Sequence, residues 1–361
     1  MSVFNIHKNN AICVLPWVHE HLDLQGYKRP CCVGKIISLD RNIQSIRNEM
    51  LKGIKPVECS KCYQEEDNNE SSSRIRESID WIKKFGAPDT GEVDIQFLDV
   101  RNDPTCNLKC KTCGPTASTL WAKEKGVKNI IPAHDFEKYD KTKLKKIYLA
   151  GGEPTYNISY YRFLQELLEV NPNCEVIINT NLKSLSDPWK KIISSFKNLT
   201  VIISCDATED LGCYVRYPLQ WKQFEQNVKF VSQHANFTMF NLVPSNLTVH
   251  EIEKTVSWMS AYSANISLTI VVGDHWTHRA VPPQYRQRYI DSLEKLKKFP
   301  IGGWLAHKFR LNLEALIKKY QMDDYDAILH QRLKQEIKEQ DSHRTMQLTQ
   351  VDPFLSSWIF E

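Results

Sequence analysis

Long apolar runs are missing from this sequence. No stretch approaches the length that crosses a bilayer, and the opening residues MSVFNIHKNN lack a signal-peptide core. The protein is therefore expected to be soluble, cytoplasmic and without membrane contact. Strong charge of one sign is also missing: the net charge is +4 over 361 residues. That accommodates an anionic cofactor or partner but does not argue for nucleic acid. There is no internal repeat and no low-complexity tract. Eleven cysteines are too few for a disulfide-dense secreted scaffold, and the number is odd. None lies beyond Cys213, so the last 148 positions hold no thiol ligand. In a cytosolic chain the Asn-x-Ser/Thr triplets at Asn157, Asn198, Asn236, Asn246 and Asn265 carry no glycan meaning.

What is present is ordinary globular composition, with 42% hydrophobic and 25% charged residues, and cysteines in ligand-like groups. Grouped cysteines point to metal in a reducing compartment. Residues 1–70 are Cys-rich without a long periodic segment, apart from an amphipathic helix over 39–51 bounded by Asp40 and Gly53. Residues 71–92 read as a polar connector helix ending at Gly86 and Pro88. From residue 93, short β-branched runs over 93–100, 145–150, 175–180, 199–205, 237–243 and 266–272 alternate with helical patterns over 117–125, 159–170, 188–196, 221–234 and 250–262. Residues 126–143 form a longer insertion. Six strands alternating with five helices predict a parallel sheet with right-handed crossovers. After Pro282 the pattern is helical over 284–298, 305–320 and 325–339, and an apolar end at 353–360 is expected to dock on the protein.

Two motifs stand at strand ends. Cys106, Cys110 and Cys113 follow the first strand as C-x3-C-x2-C, and Gly151-Gly152-Glu153-Pro154 follows the second. Three thiolates on one tight loop hold three irons of a [4Fe–4S] cube and leave the fourth open, whereas a closed cluster takes four cysteines. A zinc knuckle would need a fourth Cys or His nearby, and there is none.

The stretch Cys106-Asn107-Leu108-Lys109-Cys110-Lys111-Thr112-Cys113, together with Gly151–Pro154, resembles the radical S-adenosylmethionine (SAM) superfamily. The resemblance implies an α/β fold: a partial (β/α)6 TIM-like barrel at 91–280, a small Cys-rich N-terminal domain at 1–90 and a helical C-terminal extension at 281–361. It implies that Cys106, Cys110 and Cys113 hold a catalytic [4Fe–4S] cluster whose open iron chelates SAM. Reductive cleavage then gives a 5′-deoxyadenosyl radical that abstracts hydrogen from substrate, with a reductant such as flavodoxin or ferredoxin. Gly151, Gly152 and Glu153 would meet the methionine ammonium. Ser204 and Asp206, at the end of the fourth strand, would bind ribose or carboxylate. Arg216 would pair with the SAM carboxylate, and Asn241 and Asn246 are weaker polar candidates. Cys213 is placed on a loop that could overhang the barrel mouth, though a buried structural thiol is the plainer reading; Cys174 and Cys205 read as core.

Near the N-terminus, Cys13, Gly26, Cys31 and the pair Cys59-x2-Cys62 resemble the twitch/SPASM pattern of auxiliary iron–sulfur domains, placed here before the barrel instead of after it. Gly26 would turn a small hairpin. Cys32 beside Cys31 leaves the second ligand ambiguous, and two cysteine pairs also describe structural zinc. His19 and His21 flank Glu20; strand alternation is preferred there to a metal site. The auxiliary-cluster resemblance implies a peptide or protein substrate. A nucleotide or nucleic acid is the alternative, and a non-catalytic metal-binding or electron-transfer protein is a third.

Overall fold

Short β-branched and aromatic runs form seven strands in the computed structural model, which describes residues 4–6, 8–68, 70–129, 136, 138–271, 274–303 and 305–361. The chain divides into two units. The first comprises Met1–Thr105, Asn129–Ile178 and Ser195–Leu199, and the second Cys106–Lys128, Asn179–Ser194 and Thr200–Glu361.

In the first unit, β1 (His19–Leu22), β2 (Phe97–Val100), β3 (Lys146–Leu149) and β4 (Glu175–Thr180) pair in parallel in chain order. Leu98, Val100, Ile147, Leu149, Val176 and Ile178 form one fully buried aliphatic layer. Period-two alternation sends their neighbours to the opposite face. The register there puts His21 beside Asp99, Asp99 beside Tyr148 and Tyr148 beside Ile177. The helix Ser73–Phe85 covers part of this second face: Trp81 stacks on Phe97 with centroids 6.4 Å apart, and Lys146 reaches Glu77 at 2.9 Å. Ser72 caps that helix by accepting from the Ile75 N–H, and Gly86 ends it at a φ of 84° that only glycine takes without strain. The N-terminal segment adds its own core of Ile12, Val14, Trp17, Ile46 and Met50.

In the second unit, β5 (Leu199–Ser204), β6 (Phe237–Leu242) and β7 (Ile266–Leu268) also pair in parallel. The helices Trp221–His234 and Ile252–Ser260 follow β5 and β6. Beyond them lie Arg286–Leu296, Ala306–Gln321, Ala327–Ser342 and Pro353–Ile359. The last of these is capped by Asp352, starts on Pro353, and buries Leu355, Trp358 and Ile359. Helices between parallel strands make the chain α/β. No helix among the described residues is long and apolar enough to cross a membrane.

The structure corrects the strand count. A seventh strand, β1, precedes the six expected ones, and it pairs in parallel with β2 instead of folding back as a hairpin. Gly26 does make a turn, at φ 75° with its N–H on the Asp23 carbonyl at 3.0 Å. The first strand begins at Phe97, not 93, and the last ends at Leu268; residue 272, its expected end, lies outside the described residues, as do 130–135 and 137 of the insertion.

Candidate active site

The cysteine loop lies in the second unit and is anchored through its backbone. The Cys106 N–H donates to Thr119 Oγ1 at 3.2 Å, and Ser118 donates to the Leu108 carbonyl at 2.6 Å. Trp121 Nε1 donates to the Cys110 carbonyl at 2.8 Å. The N–H groups of Lys109 and Lys111 donate to the Tyr217 and Val215 carbonyls, each at 2.7 Å. Asn181, just after β4, donates to Asn107 Oδ1 at 3.0 Å and approaches Cys106 Sγ at 3.9 Å. Along the loop the thiols grade from buried Cys106 through half-buried Cys110 to exposed Cys113.

The two lysines inside the motif are tied down by the C-terminal helices. Lys111 is fully buried and donates to Asp341 Oδ1 at 2.7 Å, lying 4.1 Å from the Tyr214 ring centroid. Tyr214 donates to the same oxygen at 2.9 Å, and the Leu348 N–H donates to Asp341 Oδ2 at 2.8 Å. Lys109 pairs with Glu124, which also holds Arg344 at 3.1 Å. Arg344 in turn stacks 4.8 Å from the Trp121 ring. Sequence reasoning missed this network. Its only signal was two lysines inside a metal-binding loop and a charge-rich helix far down the chain.

Arg216 and Asp206 bond to each other, Nη1 to Oδ2 at 2.7 Å, and Asp206 Oδ1 accepts the Val243 N–H at 3.1 Å. Both oxygens of Asp206 are thus engaged. Burial pushes the Cys110 thiol up to about 11, against the opposing pull of Arg216. Arg216 Nε is buried with no partner among the described residues, a donor available to a bound anion. Ser204 donates to Asn179 Oδ1 at 3.1 Å.

The glycine loop belongs to the first unit. The Gly152 and Glu153 N–H groups donate to the Asp103 and Thr105 carbonyls, each at 2.8 Å, which extends the β2–β3 pairing past the strand ends. Gly151 has φ 112°, and a Cβ there would stand 2.6 Å from the Asp103 carbonyl; one on Gly152 would collide with Thr105. The backbones approach so closely that neither position accepts a side chain. Buried Glu153 accepts from Thr155 N–H at 3.0 Å and Thr155 Oγ1 at 2.6 Å, capping the turn that follows.

Cys13, Cys31, Cys59 and Cys62 line one pocket, together with Lys61 and Arg74. Arg74 is fixed by Glu66 at 2.6 Å and by the Ile12 carbonyl at 2.7 Å. Burial pushes the Cys13 thiol up to about 11 and the Cys31 thiol to about 12, and neighbouring thiols add to both shifts. Cys32 turns elsewhere: its charged neighbours are Asp99 and Arg101.

Residues 104–259 match the family model of the radical SAM superfamily. This stretch is similar to a radical SAM domain. Among solved structures, native anSMEcpe with bound AdoMet is 18% identical, with a TM-score of 0.43 over 60% of this chain and 61% of that one. Streptococcus suis SuiB bound to precursor peptide SuiA is 15% identical, with a TM-score of 0.41 over 73% and 60%. The structure of TYW1 with a lysine-pyruvate adduct is 11% identical, with a TM-score of 0.34 over 56% and 73%. The chain spans about three fifths of the length of the first two. No curated protein matches it.

The matched stretch includes the cysteine loop, the glycine loop, Ser204, Asp206 and Arg216, but not the four-cysteine pocket. Cys213 does not overhang a mouth: it sits on the buried side of the short helix Glu209–Val215. Asn246 is used structurally, donating to the His275 and Thr277 carbonyls at 2.8 and 3.0 Å. His250, Glu251 and Asp352 bring their ligand atoms within 4.8 Å of one another. His250 bonds Asp352 at 2.7 Å, and Asp352 also caps the last helix, so this group ties down the C-terminus.

Proposed function

We propose that this chain is a radical SAM enzyme that reductively cleaves SAM and modifies a peptide or protein. The observation that carries the reading is the three-cysteine loop, intact inside the matched domain and graded from buried to exposed. Cys106, Cys110 and Cys113 would hold a [4Fe–4S] cluster. Cluster and SAM together supply the 5′-deoxyadenosyl radical that takes hydrogen from substrate. The chain's own part is positional. Trp121, Ser118 and Asn181 fix the loop, Asp206 orients Arg216, and Arg216 offers an unpaired Nε to the methionine carboxylate. Gly151 and Gly152 let their backbone pack against Asp103 and Thr105, which fixes the glycine loop beside the start of the cysteine motif in sequence.

We assign the four-cysteine pocket, within an N-terminal domain at 1–90, to an auxiliary iron–sulfur cluster in preference to zinc. Four cysteines on one pocket match the full thiolate complement that a closed iron–sulfur cluster takes.

The test is anaerobic reconstitution with iron and sulfide, metal counts, and a dithionite-plus-SAM assay for 5′-deoxyadenosine. The expected result is about eight irons per chain, little zinc and product formation. Product from the variant with Cys106, Cys110 and Cys113 all changed to Ala would sink the assignment.

A further inference from the structure

Three strands of the first unit bring five polar side chains to one face. His19 and His21 come from β1, Asp99 from β2, Arg101 from the residue after β2, and Tyr148 from β3. The carboxylate of Asp99 is the hub and is 2% exposed. Arg101 clasps it bidentately, Nε to Oδ1 at 2.6 Å and Nη2 to Oδ2 at 3.1 Å. His21 Nδ1 stands 3.3 Å and His19 Nε2 3.8 Å from Oδ2. The guanidinium carbon of Arg101 lies 4.4 Å from the centroid of Tyr148. Burial pushes the Asp99 carboxyl up, but the two imidazoles and Arg101 outweigh it and hold the group well below the usual carboxylate range.

This arrangement leaves one guanidinium edge unused. Of five N–H groups, Asp99 takes two. The remaining three, both on Nη1 and one on Nη2, form a second fork, and Nη1 has no partner among the described residues. A third of the Arg101 side chain, 34%, is exposed, so that fork is reachable, whereas the imidazoles behind it are sealed at 2% and 4%. His19 Nδ1 is buried without a partner. That buried orphan nitrogen costs stability in a cluster that serves only to join strands. One carboxylate faces one guanidinium and two imidazoles; the nearby Asp23 is taken by Arg29 at 3.0 Å and stands 3.9 Å from His21 Nε2. The outward fork of Arg101 presents only N–H donors, which suit an anion and not a cation. Arg101 also stands just beyond β2, at the strand edge where α/β barrels keep their chemistry, five residues before Cys106.

We propose that Arg101, braced by Asp99 and the ring of Tyr148, binds a carboxylate of the substrate, that of an acidic side chain or the free end of a peptide. The proposal rests on the peptide-modifying reading above. Planar two-point recognition of carboxylate is the task for which a pre-oriented guanidinium is suited and lysine is not.

The test uses reconstituted holoenzyme with SAM and three probes followed by ligand-observed NMR titration. These are acetyl-Gly-Glu-Gly-amide, acetyl-Gly-Gln-Gly-amide and acetyl-Gly-Gly-Gly with a free carboxyl end. The Glu peptide or the free-acid peptide is expected to bind about tenfold or more tightly than the Gln peptide. Which of the two leads identifies the source of the carboxylate. Arg101→Gln should erase the preference, and Arg101→Lys should keep only part of it. Unfolding curves and iron counts verify that both variants fold. Equal binding of all three probes by the wild type, or a preference that survives Arg101→Gln, would overturn the proposal. Peptide-free formation of 5′-deoxyadenosine by the wild type is read separately, so failure of the enzyme reading and failure of this site are distinguishable.

Discussion

The two cysteine sites differ in what surrounds them. The four-cysteine pocket is built into an apolar core with Trp17, Ile46 and Met50, and three of its thiols are buried. The three-cysteine loop is held mostly by polar groups: carbonyls at 215 and 217, the indole N–H of Trp121, and a lysine–aspartate pair to the C-terminal helices. On the reading proposed above, the pocket only holds its group and can be enclosed by hydrophobic packing, whereas the loop must admit a second ligand and so takes its position from directional bonds.

The largest effect should come from changing one ligand at each site. Cys110→Ala is expected to reduce 5′-deoxyadenosine to background while the pocket keeps about four irons. Cys59→Ala should instead leave the loop's iron and its spectrum in place; iron counts and electron paramagnetic resonance on the two variants make the comparison. Next comes the lysine–aspartate pair. Asp341→Leu strands the fully buried Lys111 ammonium and should cost about 3–5 kcal/mol in urea unfolding. The double variant Lys111→Met/Asp341→Leu should recover only part of that, because the Tyr214 hydroxyl and the Leu348 N–H still lose their acceptor; full recovery would mean those two bonds contribute little. Gly152→Ala forces a methyl into the Thr105 backbone and should destabilise by about 1–3 kcal/mol. The smallest effect is expected of Cys32→Ser. That thiol lies beside Asp99 and Arg101, not in the pocket, so metal content should not change. Loss of iron in that variant would blur the boundary between pocket and polar face.

Much of the frame was legible because it is periodic. The alternation of 175–180 and the helical spacing of 221–234 gave the bounds of Glu175–Thr180 and Trp221–His234 directly. β1 was harder: His-Glu-His-Leu is four residues with three polar ones, and it becomes a strand by pairing with β2, a partner 78 positions away. The cysteine spacings were readable as ligand sets. Which of two adjacent thiols faces the pocket was not, since neighbouring residues in an irregular segment differ only in the direction their side chains take after folding. Likewise, Asp206 and Arg216 were each legible as polar groups near a strand end, but not that they would bond to each other.

The sequence by itself determined the α/β alternation, the two cysteine sets and the bare glycine pair, because each is written in spacing along the chain. Only the tertiary structure decided that Lys111 meets Asp341 across 230 positions, that Cys31 and Cys32 part company, and that His19, His21, Asp99 and Arg101 share one face. These outcomes depend on strand register and on which buried charge finds a partner. Register and pairing are set by packing between segments distant in sequence, where no local pattern reaches.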